Sequence, residues 1–126
     1  MSDKVKEWLK QADYDMETAD AMFVSGRYFY AVFMCHLSIE KALKGVFCRV
    51  MDETPPKTHN LLFLLNRSGK KIEEKMEKFI IKLNTASVGA RYPDELEKIQ
   101  AAYTKEITQD LIRKSKEVLA WIKTQL

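Results

Sequence analysis

The two histidines of this sequence are candidates for proton transfer or ligand binding. His36 lies in a long apolar stretch, four residues before Glu40, so a helix would place the two side chains on one face. Such a histidine is either buried and hydrogen-bonded to a carboxylate or carbonyl, or it faces a cleft. His59 follows Thr58 at the start of a predicted helix, where free N–H groups suit an anion. It is therefore either a surface residue or the border of a pocket.

An Arg-Tyr-Pro-Asp segment at positions 91–94 offers a second kind of chemistry. In a functional interpretation, Arg91 holds a phosphate and Tyr92 stacks on a nucleobase. In a structural interpretation, Arg91 pairs with Asp94 and Tyr92 fills space in the core. The sequence supports both interpretations equally.

Lys41 and Lys44 are charged residues within an otherwise apolar helix. Glu40 precedes Lys44 by four residues, in the order that favours an ion pair, and long lysine stems let the ammonium groups reach water. Alternatively, the two lysines line an anion site together with Arg91. The sequence thus predicts one set of ligand-binding residues for a nucleotide or other anion, which comprises Lys41, Lys44, His59, Arg91, Tyr92 and Asp94.

The motifs of common enzyme classes are absent from the sequence. It contains no GxxxxGKS/T or GxGxxG loop, so the usual phosphate-binding loops are excluded. It contains no HExxH or other metal-ligand spacing, and its only histidines are His36 and His59. Cys35 directly precedes His36, so on a helix the two side chains point in different directions. We therefore predict no catalytic residue, no metal site and no cofactor.

Length and composition indicate one globular domain over residues 1–126. Apolar residues make up 46% and charged residues 31% of the chain, which is typical of globular proteins. The formal net charge is +3, from 21 Lys and Arg against 18 Asp and Glu, and this excess alone does not predict a nucleic-acid binder. A basic stretch from Arg67 to Lys82 is interrupted by glutamates, and we interpret it as a solvated helical face.

Cysteine usage and hydropathy predict a cytoplasmic protein without membrane contact. Cys35 and Cys48 are 13 residues apart, about 20 Å along a helix, which is too far for a disulfide. Two reduced thiols are typical of a cytosolic protein. The N-terminus is polar and charged, unlike a signal peptide, and no apolar run reaches the length of a transmembrane helix.

Apolar residues at three- and four-residue steps predict helices along the whole chain. The first helix spans about residues 3–25, is capped by Ser2 or Asp3 and ends at Gly26. The second spans about residues 27–51 and is apolar around most of its circumference. That pattern predicts a helix at the centre of a bundle or at an oligomer interface.

The second half of the chain predicts shorter segments. Thr58 is the predicted N-cap of a short helix that ends at residues 66–69. A fourth helix runs from Lys70 or Lys71 to residues 87–89. Pro93 interrupts the helical pattern, residues 95–103 form a helical turn or a loop, and the last helix starts near Thr104. The predicted fold class is all-α, an antiparallel up-and-down bundle of four long helices plus one short helix.

Five segments occur in an order that resembles the HEPN (higher eukaryotes and prokaryotes nucleotide-binding) family. In chain order they are a first helix with Trp8 and Ala12, a G-x-Y-x-x-A pattern at residues 26–31, an E-K-x-L-K pattern at 40–44, a T-H-x-L pattern at 58–61, and A-R-Y-P-D at 90–94. The likeness spans almost the whole chain.

The resemblance implies a bundle of four or five helices that is commonly dimeric and linked to nucleotides or RNA. Many family members are encoded beside a small nucleotidyltransferase and act with it as a toxin–antitoxin-like pair. Some others are metal-independent RNases that carry an R-x4-6-H motif at the dimer interface.

This sequence departs from the RNase motif. No histidine follows Arg91, while Arg27 precedes His36 by nine positions and Arg49 precedes His59 by ten. Such an RNase needs an acid–base histidine paired with a phosphate-holding arginine. We therefore predict a non-catalytic nucleotide- or RNA-associated binding module, a homodimer acting with a nucleotidyltransferase partner. The alternatives are a divergent RNase, using His36 or His59 with Arg91 of a second subunit, and a plain scaffold.

Overall fold

The computed structural model describes residues 2–91 and 95–126, with the side chains of Ala90 and Arg91 excepted. Those residues form six helices and no strand, which confirms the all-α bundle. The helices are α1 (Asp3–Val24), α2 (Tyr28–Met51), α3 (Leu61–Ser68), α4 (Glu74–Arg91), α5 (Leu96–Ala102) and α6 (Lys105–Thr124).

Local signals set the bounds of α1 and α6 as predicted. The Ser2 hydroxyl accepts a hydrogen bond from the Val5 N–H at 3.3 Å, which caps α1. Gly26 follows α1 with a φ of +75°, a conformation that glycine adopts without steric cost. Thr104 caps α6 in the same way as Ser2 caps α1, by accepting from the Ile107 N–H at 3.3 Å.

The second helix is the centre of the bundle. It packs against α1, α3, α4, α5 and α6, which explains why its sequence is apolar on several sides. The core includes Val32, Ile39, Leu43 and Val46 of α2, each at most 1% exposed. Between α1 and α2, the Ser38 hydroxyl donates to the Ala12 carbonyl oxygen at 2.7 Å.

The cap of α3 differs from the sequence prediction. Asn60, not Thr58, is the N-cap of α3, because its side-chain oxygen accepts from the Leu62 and Phe63 N–H groups. The Thr58 hydroxyl instead accepts a hydrogen bond from the Asn60 N–H at 3.1 Å, in the turn that precedes α3.

The fourth helix begins later and ends later than its apolar pattern predicts. It starts at Glu74 rather than Lys70 or Lys71, after Gly69 has ended α3 in the left-handed conformation. It then continues through Gly89 to Arg91, since a single glycine costs a helix only about 1 kcal/mol. Residues 96–102 form the short helix α5, so the bundle has two short helices where one was predicted.

None of the helices in the described ranges has the length and apolar character that crossing a membrane requires.

Candidate functional site

A buried carboxylate on α2, that of Glu40, lies at the centre of the most polar part of the interior. Glu40 is 4% exposed. Its Oε2 accepts a hydrogen bond from Lys44 Nζ at 3.0 Å, and its Oε1 lies 2.9 Å from His59 Nδ1. His36 Nδ1 is 3.8 Å from the same Oε1. We refer to Glu40, Lys44, His59 and His36 as the Glu40 cluster.

The cluster compensates its buried charge internally. An isolated carboxylate in a protein interior costs several kcal/mol, and here the Lys44 ammonium group neutralises it at hydrogen-bonding distance. Lys44 is itself only 8% exposed, and its Nζ lies 5.7 Å from the centroid of the Trp8 ring, within the range of a cation–π contact. The predicted Glu40–Lys44 pair is thus present, and Trp8 covers it from α1.

Lys41 takes part in a separate pair. Its Nζ lies 2.9 Å from Oδ2 of Asp15 on α1, a carboxylate that is also buried. Neighbouring residues of a helix point about 100° apart, so Lys41 and Lys44 meet different carboxylates. Each predicted anion-binding lysine is therefore already paired with a carboxylate of this chain, and their joint role in an anion site stays a prediction.

His59 lies in the segment before α3, and this segment places its ring in contact with Glu40, which is 19 residues earlier in the sequence. The Leu61 N–H donates to Asn84 Oδ1 of α4 at 3.0 Å, which ties the start of α3 to α4. The Thr58 N–H donates to the Pro56 carbonyl oxygen at 2.9 Å, and Pro55 is buried. These contacts fix the backbone on both sides of His59.

The His59 side chain remains 61% exposed although its Nδ1 meets a buried carboxylate. The buried carboxylate of Glu40 thus orients the imidazole ring, while the rest of the ring is accessible to solvent and ligands. A carboxylate that accepts from one ring nitrogen fixes the tautomer and leaves the other nitrogen for a ligand or a proton. His59 is the one residue of the Glu40 cluster with this combination, and it suits hydrogen bonding to a phosphate or proton transfer.

The Arg-Tyr-Pro-Asp segment contributes little to the described geometry. Arg91 is the last residue of α4, and its side chain lies outside the described residues, as do Tyr92 and Asp94. Their membership of the ligand-binding set therefore stays a prediction.

Other reactive groups lie away from the Glu40 cluster. Cys35 is buried, and burial raises the pKa of its thiol to about 12, so it is protonated and unreactive at neutral pH. Burial also raises the pKa of Tyr103. In the part of the chain that the structure describes, no group of His, Cys, Asp and Glu side chains has the arrangement of a metal site.

Sequence reasoning recognised Glu40 as a neighbour of His36 and Lys44 but not as the centre of a site. It also missed the contributions of Asp15 and Trp8. One signal was available for Asp15, because it lies between Ala12, Met16 and Ala19 of the apolar face of α1. No local signal pairs Glu40 with His59.

Similarity to known proteins supports the same fold. The structure of TT1696 from Thermus thermophilus is similar, with a TM-score of 0.85 and 22% identity over 99% of this chain and 100% of that chain. The structure of ST0689, an archaeal HEPN homologue, has a TM-score of 0.77 and 25% identity over 98% of each chain. No curated protein matches this sequence significantly. The HEPN domain pattern matches residues 5–125, and the chain therefore belongs to the HEPN domain family.

Proposed function

We propose that this chain is a non-catalytic HEPN module that binds a nucleotide or RNA. It forms a homodimer and acts with a small nucleotidyltransferase in a two-component, toxin–antitoxin-like system of the cytoplasm. Family membership supports this proposal, and so does the absence of an R-x4-6-H motif from the sequence. The ligand-binding residues are Lys41, Lys44, His59, Arg91, Tyr92 and Asp94.

The observation that carries the binding role is the geometry of His59. Its ring is held at Nδ1 by Glu40 and is 61% exposed, so little side-chain freedom is lost when a ligand binds. Lys44 already neutralises Glu40, which leaves the positive charge of a protonated His59 available to an external anion. A phosphate is the chemically apt ligand, because a protonated imidazole donates a charge-assisted hydrogen bond.

Calorimetric titration with ATP, GTP and short RNA tests the binding role. We expect heat of binding for at least one of them. A ligand at 100 times its dissociation constant adds about 2.7 kcal/mol to the free energy of unfolding, so the melting temperature should rise by several degrees.

His59→Ala should weaken this binding at least tenfold, whereas Lys57→Ala, two residues away and exposed, serves as the matched control. Absence of heat with every nucleotide, together with an unchanged melting temperature, rejects the binding role.

The partner role has its own test. We expect the neighbouring gene to encode a small nucleotidyltransferase. Co-expression of the two proteins, followed by light scattering, should give a complex in which the HEPN component is twice 14.7 kDa. A monomeric mass without co-elution would reject both the dimer and the partnership.

A second candidate function is a divergent, metal-independent RNase. The Glu40–His59 pair favours it, since a carboxylate that orients an accessible imidazole is a common acid–base arrangement. RNA incubated with the chain and its His36→Ala, His59→Ala and Arg91→Ala variants separates the two functions. Cleavage lost with His59→Ala supports the RNase, whereas equal cleavage by all four proteins indicates contamination.

A further inference from the structure

A groove between α4 and α6 is a second charged surface, and it shares no residue with the Glu40 cluster. Both helices pack against α2, and the space between their outer faces has a volume of about 500 Å³. Met76 and Phe79 of α4 and Val118 of α6 contribute its apolar floor. Residues that are 38 positions apart in sequence thus form one concave surface, for example Lys75 and Arg113.

More cationic than acidic side chains line the groove. Its cationic residues are Lys75, Lys78, Lys82, Arg113 and Lys114, and its acidic residues are Glu73 and Glu117. Two further carboxylates lie at its edge, where Glu74 pairs with Lys78 and Asp110 pairs with Arg113 and Lys114. The surface therefore keeps a small excess of positive charge, with five cationic residues facing each other from α4 and α6.

Carboxylates near the groove leave these cations available. Arg113 pairs with Glu117 at 3.0 Å and Lys78 pairs with Glu74 at 3.2 Å, and these four side chains are more than half exposed. Asp110, which is 46% exposed, pairs with Arg113 at 2.6 Å and with Lys114 at 3.0 Å. Water and salt screen exposed pairs of this kind, so an incoming anion displaces them at little cost. Lys75 and Lys82 form no ion pair with any residue of the described ranges.

The spacing of the cations matches a repeating anion. Lys75, Lys78 and Lys82 lie on one face of α4 and extend over about 10 Å of helix. Arg113 and Lys114 face them from α6. One strand of a duplex carries a phosphate about every 3.4 Å, and an unstacked single strand spaces its phosphates more widely, so roughly two to three phosphates fit along the row. An acidic peptide would also be attracted, but the all-helical described ranges offer no sheet edge to align its backbone.

We propose that the groove between α4 and α6 binds the phosphate backbone of single-stranded nucleic acid. This inference goes beyond the proposed function, because it assigns binding to a surface separate from His59. It also revises the interpretation of residues 67–82 as only a solvated face, because three of its lysines share the groove with α6. Lysine contacts to phosphate position a strand without reading its sequence.

Fluorescence anisotropy with a labelled 12-nucleotide single-stranded RNA tests the proposal. Lys75→Glu combined with Lys82→Glu should weaken binding at least tenfold at about 0.1 M salt, since it reverses the charge of two exposed groove residues. The matched control is Lys6→Glu combined with Lys10→Glu, two exposed lysines of α1 outside the groove. Circular dichroism verifies that both variants remain helical.

Equal weakening by the groove variant and the control would overturn the proposal, because net charge alone would then explain binding. Absence of RNA binding at about 0.05 M salt would also overturn it. Inorganic tripolyphosphate and single-stranded DNA are the other ligands to be titrated. Binding of tripolyphosphate in the groove, without binding of RNA or DNA, rejects the nucleic-acid assignment. Binding of both RNA and DNA agrees with recognition of the phosphate backbone.

The dependence of affinity on salt gives a second measurement. The logarithm of the binding constant of a single strand changes by about 0.7 per neutralised phosphate for each tenfold change in salt. Lys75→Ala combined with Lys82→Ala should therefore reduce the slope by about 1.4, and an unchanged slope would contradict contacts at these two lysines. If nucleotides give no heat while RNA binds in the groove, and His59→Ala leaves the RNA affinity unchanged, only the His59 proposal is rejected.

Discussion

The Glu40 cluster and the groove between α4 and α6 both place lysines beside carboxylates, yet the two regions use charge differently. Glu40 and Lys44 are almost completely buried, and Trp8 covers the lysine. Lys78 and Glu74, like Arg113 and Glu117, are mostly in water.

Burial makes the Glu40–Lys44 pair costly to break, because either residue alone would be an uncompensated charge in the protein interior. Exposure lets the surface pairs of the groove exchange their carboxylate for another anion, because water and salt screen the attraction between the two charges. Charges in the interior therefore position a side chain such as His59, whereas charges on the surface remain available to a ligand.

Glu40→Ala should have the largest effect on stability. It leaves the buried Lys44 without its carboxylate, and such a loss costs about 3–5 kcal/mol in the free energy of unfolding. Urea denaturation monitored by circular dichroism measures it. Glu117→Ala removes an exposed partner of Arg113 and should cost less than about 1 kcal/mol. Equal losses of unfolding free energy in the two variants would contradict the proposed difference between buried and exposed pairs.

Asp15→Ala should have an intermediate effect. The carboxylate is buried, while its partner Lys41 retains some exposure and reaches water once the pair is broken. We expect a loss of about 1–3 kcal/mol in the same denaturation experiment. Asp13→Ala is the matched control, because Asp13 pairs with Lys123 between α1 and α6 on the exposed surface. A larger loss for Asp13→Ala than for Asp15→Ala would contradict the role of burial.

Asn60→Ala should cost about 1 kcal/mol, since it removes the N-cap of α3. Thr58→Ala, at the residue predicted as the cap from sequence, should cost less because its hydroxyl accepts only from the Asn60 N–H. The difference in unfolding free energy tests which residue caps the helix that follows His59. A larger cost for Thr58→Ala would restore the original prediction.

The smallest effect concerns pH at the edge of the groove. A hydrogen bond from Arg113, and then one from Lys114, lowers the pKa of Asp110 below its usual value. The ionised form is therefore favoured by folding, and this stabilisation is present above the ordinary pKa and lost as pH falls through the lowered one. Carbon NMR titration should show the Asp110 pKa rising in Arg113→Gln. It should also rise when RNA is bound, and no change with RNA would exclude Arg113 and Lys114 from the contact.

Much of the fold was predictable because its signals are local. Ser2, Gly26 and Thr104 act within one helical turn, and the apolar steps of α1 and α6 follow the helical period. The errors also have local causes. Both Thr58 and Asn60 are good capping residues, and the charged start of α4 resembles a helix for three residues before Glu74 begins one.

The candidate site was predictable only where its contacts follow the helical repeat. Glu40 and Lys44 are four residues apart, so their pairing follows from sequence. The approach of His59 to Glu40 depends on how α3 is anchored to α4 through Asn84, and no spacing rule encodes that.

The sequence alone indicates the long helices, the caps of α1 and α6 and the apolar faces, because these properties depend on interactions within about four residues. The contacts between side chains of different helices depend on the tertiary structure. The packing of α3, α4 and α6 around α2 joins Glu40 to His59 and Lys75 to the groove with Arg113. Such contacts follow from how whole apolar faces fit together, which is a property of the assembled core and not of any one segment.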